Sequence, residues 1–275
     1  LNEQSPIRST YLPSREKMSV FSAALVMTLL EGRLVHLPTL GWNFTFLGIK
    51  VGLRLSVPGV LALVIAALTA AGTDWVMSDH PSRRGRSTAT HWILPALTIW
   101  VLEVLLQHLP LGWLWWVVLF VGIGLWFLVI VAEYIVIDSN DLRYPIASAG
   151  LNGLGFLIFF LMAVGVKAVP WRLFFAAPTF GITAGLVALR AFHLRFPERW
   201  LPIEATFIAA IAAQLAAAIY YLPLSSLAFG LVLVGTAYAA TVYLGNVIEE
   251  QAFPQSVTEP AVVLALTLLL LPWAW

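Results

Sequence analysis

The chain has 275 residues, of which 60% are apolar and only 11% charged, whereas a soluble domain carries about a quarter charged residues. So few charges cannot cover a water-facing surface, and fifteen Lys+Arg against fourteen Asp+Glu leave no bulk charge to attract nucleic acid or an acidic partner. Without cysteine there is no disulfide framework, thiolate metal site or thiol nucleophile.

The composition predicts an all-α integral membrane protein: a polar N-terminal tail over 1–16, then a single transmembrane domain over 17–275. The tail is not expected to be a signal peptide, because no cleavage site follows the first apolar run before further spans arrive. A crossing helix needs roughly 20 mostly apolar residues with every backbone group bonded inside it. The uncharged windows predict nine such helices, at about 18–37, 57–77, 91–109, 111–135, 145–168, 171–193, 203–221, 225–248 and 259–274. The window 205–248 is twice too long for one span, and Tyr220-Tyr221-Leu222-Pro223 breaks it, since proline removes a helical donor and an aromatic pair suits the interface. Charges inside the first and third helices make those two the weakest apolar spans.

Between the first two helices the pattern changes. Trp42, Phe44 and Phe46, then Ile49, Val51, Leu53 and Leu55, alternate with Asn43, Thr45, Lys50, Gly52 and Arg54. Period two argues strand, so a small extracytoplasmic β-hairpin is expected near 42–55; an interfacial helix carrying Lys50 and Arg54 one turn apart is the alternative. With the N-terminus inside, ten Lys/Arg fall on inside segments and five on outside ones, which predicts N-terminus in and C-terminus out.

The chain repeats itself. Outside turns carry Leu37-Pro38, Leu109-Pro110, Val169-Pro170 and Leu222-Pro223, and inside connections carry Pro81, Pro145, Pro197 and Pro254. Hairpin units at about 18–81, 91–145, 146–197 and 203–254 follow, with a final helix over 259–274. The first two units share Leu-Glu-x-x-Leu-x-His-Leu-Pro, at 30–38 and 102–110.

That motif supplies the first candidate site. Glu31 and Glu103 each stand seven residues before the turn proline, about 10 Å below the outer end, and an ionisable group inside a span is a functional hypothesis by default. Facing each other, they would share a proton or bind a cation; the structural alternative pairs Glu31 with Arg33, Lys50 or Arg54. His36 and His108 fall in the last helical turn, where imidazole bonds the final carbonyls. A Glu₂His₂ metal site is not favoured, because a five-residue offset separates Glu and His by about 140° around one helix. A second candidate is an inside acidic cluster, Asp74, Asp138 and Asp141. It bears a superficial likeness to the aspartates of prenyl- and phospho-alcohol transferases without their spacing, so solvated helix ends are the expectation. Gly150, Gly153 and Gly155 beside Asn152 are read as sites of close helix packing. No histidine lies mid-span for pigment or haem, no metal or other cofactor is expected, and Trp42, Trp75, Trp113, Trp171, Trp200 and Trp273 fit an aromatic belt.

The outside Leu37-Pro38 turn, the alternating segment, an apolar span and then Gly72-Thr73-Asp74-Trp75 running into His80-Pro81 resemble an uncharacterised family of bacterial multi-pass membrane proteins. The resemblance is specific over about residues 30–85. It implies a bacterial inner membrane and no assigned activity. The expected role is non-catalytic: a subunit or scaffold of a membrane complex, with lipid and a membrane-protein partner or second copy as neighbours and no nucleic acid. A small-solute or ion-coupled transporter using Glu31/Glu103 and a membrane-embedded lipid-modifying enzyme are the alternatives.

Overall fold

The computed structural model describes residues 12–34, 40–46, 49–55, 57–81, 88–169 and 171–273. In chain order these form α1 (Arg15–Leu34), β1 (Leu40–Phe46), β2 (Ile49–Leu55), α2 (Val57–Met77), α3 (Ala89–His108) and α4 (Trp113–Ile135), followed by α5 (Tyr144–Ala168), α6 (Leu173–Arg195), α7 (Pro202–Ile219), α8 (Ser226–Ile248) and α9 (Gln255–Leu270). A 3-10 turn over Leu271–Trp273 follows α9. β1 and β2 pair antiparallel, from Leu40 opposite Leu55 to Phe46 opposite Ile49.

Local chemistry sets several helix starts. Pro145 and Pro202 occupy the first turns of α5 and α7, where a fixed φ favours the helix and the missing N–H is no loss. Ser225 caps α8 by accepting the Ala228 N–H at 3.1 Å. α9 begins at Gln255, four residues before the expected 259, because Pro254 is its cap and the helix accommodates Pro260.

Nine helices are present among the described residues, but eight rather than nine are long and apolar enough to cross a membrane. α1 is the exception. Its uncharged stretch between Lys17 and Glu31 holds 13 residues, about 20 Å of helix against roughly 30 Å of hydrocarbon. It nevertheless lies antiparallel to α2, with Lys17 Nζ donating to the Trp75 carbonyl at 3.0 Å and to Asp79 Oδ1 at 2.7 Å.

The helices alternate in direction, so α2, α4, α6 and α8 finish at one end of the bundle; it is called the Arg195 end, and the opposite one the Tyr220 end. α3 is the seam, packing on α2, α4, α5 and α6, with 11 of its 20 residues buried. Leu94, Leu97, Val101 and Val104 join the core formed with α5, α6, α7 and α8. Ile99, Leu102 and Leu106 join a second core with α1, α2 and α4. Two apolar stripes on one helix, each at three- to four-residue spacing, dictate this. Trp126, mid-span in α4, is 0% exposed, with Phe21 of α1 edge-on at 4.9 Å.

α6 packs closely on α7, where a Cβ on Gly185 would lie 2.8 Å from Ala209 Cβ and one on Gly181 3.1 Å from the Ala209 carbonyl oxygen. Of the glycines expected to pack, Gly155 does, against Leu94 and Val187, whereas Gly150 and Gly153 have nothing within 4 Å of a Cβ. Their face of α5 is turned away from the other helices, and close approaches fall instead at glycines of α2, α4, α6 and α8, Gly72 against Phe21 and Gly235 against Thr267 among them.

Candidate functional site

The most buried charges lie near the Arg195 end, where three helices converge. Glu133, two residues inside the end of α4, is completely buried. Arg190, five residues inside the end of α6, has 2% side-chain exposure, and His91, on the first turn of α3, has 12%. Arg190 grips Glu133 with a forked pair of bonds, Nε donating to Oε1 at 2.9 Å and Nη2 donating to Oε2. His91 Nδ1 lies 2.8 Å from the same Oε2. An ionised carboxylate only accepts, so Nδ1 carries the proton and donates. The 3.3 Å approach of Arg190 Nη2 to His91 Nδ1 then brings two donors side by side, both aimed at one oxygen.

A bidentate, charge-assisted pair of this kind is strong and directional. Buried charges are tolerated only when paired and bonded, and here both carboxylate oxygens are spent. Chemically the arrangement is a clasp: it fixes α3, α4 and α6 and leaves Glu133 no accessible lone pair for substrate. His193, one turn beyond Arg190, completes the buried polar neighbourhood with an Nδ1 that has no hydrogen bond.

Toward the same end, further acids lie on α2 and in the connection between α4 and α5. Asn140 N–H donates to Asp138 Oδ1 at 3.0 Å, the local turn an Asp side chain favours. Arg143 holds Asp141 through Nε at 3.1 Å and Nη2 at 2.7 Å, and its own N–H bonds the same carboxylate at 2.8 Å. These bonds pull the Asp141 carboxyl down to about 2. Asp74 accepts from the Thr88 hydroxyl, tying α2 to the start of α3. His80, buried beside Tyr134 with ring centroids 4.6 Å apart, is held below its ordinary value by burial, while Asp138 and Asp141 pull the other way.

Asp74, Asp138 and Asp141 thus gather at one end of the bundle, each with a local partner. Among the described residues no cluster of three His, Cys, Asp or Glu side chains has the arrangement to hold a metal ion. Toward the Tyr220 end, Glu103 is 3% exposed on α3 and accepts from Gln107 Nε2 at 3.1 Å, whereas Glu31 is exposed on α1. One carboxylate is therefore sealed inside the bundle and the other is turned outward. His108 Nδ1 bonds the Val104 carbonyl at 2.6 Å in the last turn of α3; His36 lies outside the described residues.

Glu133, Arg190 and His91 are the residues sequence reasoning passed over: Glu133 and Arg190 each border an uncharged window and read as solvated helix ends, and His91 lies near the start of another window. The available signal was that Glu133 and Arg190 lie inside their helices rather than beyond them.

Nine described helices, eight of them long and apolar, closed at one end by a buried charge clasp, fit a membrane protein whose role is unknown. The chain belongs to the family described as "Protein of unknown function (DUF5656)", which it matches over residues 37–274. No curated protein and no solved structure matches it.

Proposed function

We propose that the chain is a multi-pass integral protein of a bacterial cytoplasmic membrane that acts without catalysis, as a subunit or scaffold of a membrane complex. The observation that carries this reading is the state of Glu133: fully buried, with both oxygens bonded to Arg190 and His91. The strongest ionisable cluster of the described residues serves to hold helices together. The buried residues of α9 are Ser256 and Pro260, and its Leu264, Leu266, Leu268, Leu269 and Leu270 are exposed, which supports an outer face covered by lipid or a partner.

The N-terminus lies inside and the C-terminus outside in this reading, with the Arg195 end cytoplasmic, the paired strands extracytoplasmic and the hairpin units duplicated. Arg190 is bound within the bundle, so it no longer counts toward the charge asymmetry. Nine Lys/Arg against five still favour that orientation. Native mass measurement of the protein released from membranes tests the role. An assembly of fixed stoichiometry, with itself or a partner, is expected; a lone monomer under gentle release overturns the subunit reading.

A second reading rests on Glu103, a carboxylate inside the most buried of the apolar helices: coupling of solute movement to a proton or cation, with Glu31 as the outward group. Glu103→Gln would then abolish pH-dependent uptake into vesicles, and unchanged uptake would remove this reading.

A further inference from the structure

α9 carries a charge where lipid alone would not tolerate one. Glu259 is its fifth residue, inside the apolar stretch Gln255–Trp273 that is long enough to cross a membrane, yet it is exposed on the outside of the bundle. The Tyr238 hydroxyl donates to its Oε1 at 3.1 Å, and no ion pair reaches it among the described residues. An ionisable group inside a span almost always faces protein and is paired. Val262 and Leu266, three and seven residues on, are 57% and 53% exposed, and at this spacing they continue one stripe with Glu259.

The converse surface lies on α1 and α4. A groove of about 540 Å³ runs between them, lined by Arg15, Met18, Ser19, Ser22, Phe127 and Val131. Ser19 and Ser22 are small, which lets an incoming helix approach the α1 backbone. Arg15 is exposed, and its side chain has no hydrogen bond or ion pair among the described residues. Toward the same end Lys17, Arg143, Arg190 and Arg195 are each paired with a carboxylate of their own chain. Arg199 is not paired among the described residues, but it lies in the connection between α6 and α7, beyond the helices. α9 packs on α8, α8 on α5 and α5 on α4, so two helices separate α9 from the groove and a chain does not fill its own.

The two surfaces also match in level. Lys17 ties the start of α1 to Asp79 after the end of α2, and Asn246, near the end of α8, donates to the Ser256 carbonyl at the start of α9. Both helices therefore begin at the Arg195 end, and copies in one bilayer share one orientation. Glu259 stands about 6 Å along α9 and Arg15 opens α1, an offset that an arginine side chain spans. Val262 stands about 10 Å along α9, level with Ser22 at about 10 Å in α1 and Phe127 at about 12 Å from the end of α4.

We propose that α9 of one copy docks in the α1–α4 groove of the next, with Val262 packed between Ser22 and Phe127 and Glu259 paired with Arg15. The contact joins unlike surfaces, so assembly is head-to-tail. Docking of this kind rests on the subunit reading above, with a second copy of the chain as the partner.

The chain has no cysteine, so disulfide trapping in native membranes tests the contact without background. Chains with Ser22→Cys and chains with Val262→Cys, differently tagged, are co-expressed and oxidised. Their mixed dimer is expected at least fivefold above that of Ser22→Cys with Ile203→Cys, an exposed position at the start of α7. Arg15→Glu and Glu259→Arg, each placed in both tagged chains, lower the yield at least fivefold, and the two together restore it to within twofold. Glu259→Gln, which removes the charge without adding one, lowers it at least threefold. A yield no higher than with Ile203→Cys overturns the docking, as does an undiminished yield in Glu259→Gln or a folded double reversal that does not recover. Native mass separates this contact from the subunit reading: a fixed assembly without the Ser22–Val262 cross-link overturns the contact alone, and a lone monomer overturns both.

Discussion

Glu133→Ala perturbs the clasp most directly, because it leaves Arg190 and His91 facing a void in the least solvated part of the bundle. Three bonds are lost, two from Arg190 and one from His91, and hydrogen bonds to charged groups contribute about 1.5–3 kcal/mol each. Their simple sum overshoots, since water and rotamer changes recover part of it; breaking one side of a buried ion pair costs about 3–5 kcal/mol. At about 2–4 °C per kcal/mol, the unfolding midpoint in detergent falls by roughly 6–20 °C, measured by scanning fluorimetry on the tryptophans. Asp79→Asn is the control: the Lys17–Asp79 pair is 20% and 49% exposed, and such pairs contribute about 0–1 kcal/mol. The double substitution Glu133→Leu/Arg190→Leu recovers most of the loss, because removing both charges leaves no buried charge unpaired and only His91 without its partner. A Glu133→Ala shift no larger than that of Asp79→Asn would refute the clasp. A double variant as unstable as either single one would trace the cost to packing instead.

Gly185→Val forces α6 from α7 against Ala209 and costs about 1–3 kcal/mol as overpacking, while Gly150→Val, with nothing within 4 Å of its Cβ, leaves the thermal midpoint within about 1 °C. Asp141 has a folded pKa of about 2, below the unfolded value of about 3.9. Its contribution is therefore present above about pH 4 and lost as pH falls toward 2, and Asp141→Asn flattens stability across that window in acid titration. His80 is lowered by burial, so the unfolded chain takes up the proton first and stability falls as pH drops below about 6.5; His80→Phe removes that slope, and a persisting slope refutes its origin in His80. With no native cysteine, single probes report topology: Ser139→Cys is expected to label only from the cytoplasmic side and Leu111→Cys only from outside, and the reverse pattern overturns the orientation.

How far the sequence carries depends on whether the cause is local. α2 runs from Val57 to Met77, matching the helix expected at 57–77, because a helix in apolar surroundings is specified by its own composition. The break at Pro223 and the start of α8 after Ser225 follow from single residues with fixed roles. α1 was overread, although the shortness of its uncharged stretch is itself in the sequence. The clasp is of another kind. Its partners are 42, 57 and 99 residues apart, and no periodicity links them; only the packing of α3 between α4 and α6 turns three separate helix-end charges into one site. The repeated motif pointed toward Glu31 and Glu103, but equal positions in two repeats do not confer equal surroundings. The packed interior receives Glu103 and leaves Glu31 on the surface.

The position of the clasp explains why so costly a feature is placed here. α3 contributes to both cores, with α1, α2 and most of the buried face of α4 on one side and α5, α6, α7 and α8, joined by Val129 of α4, on the other. Apolar packing between helices in a bilayer is weakly directional, because lipid tails are as apolar as leucine; van der Waals contact alone would let the two halves slide along the seam. Glu133 belongs to α4 on one side, Arg190 to α6 on the other, and His91 to the seam helix itself. The forked Arg190–Glu133 geometry tolerates little axial displacement, so it sets the register between the halves at the Arg195 end. Near the opposite end Lys167 Nζ bonds the Tyr220 carbonyl and the Tyr220 hydroxyl bonds the Trp171 carbonyl at 2.8 Å, but these join helices of one half only. The clasp therefore fixes the register across the seam at the Arg195 end, while the Lys167–Tyr220 contacts act within one half.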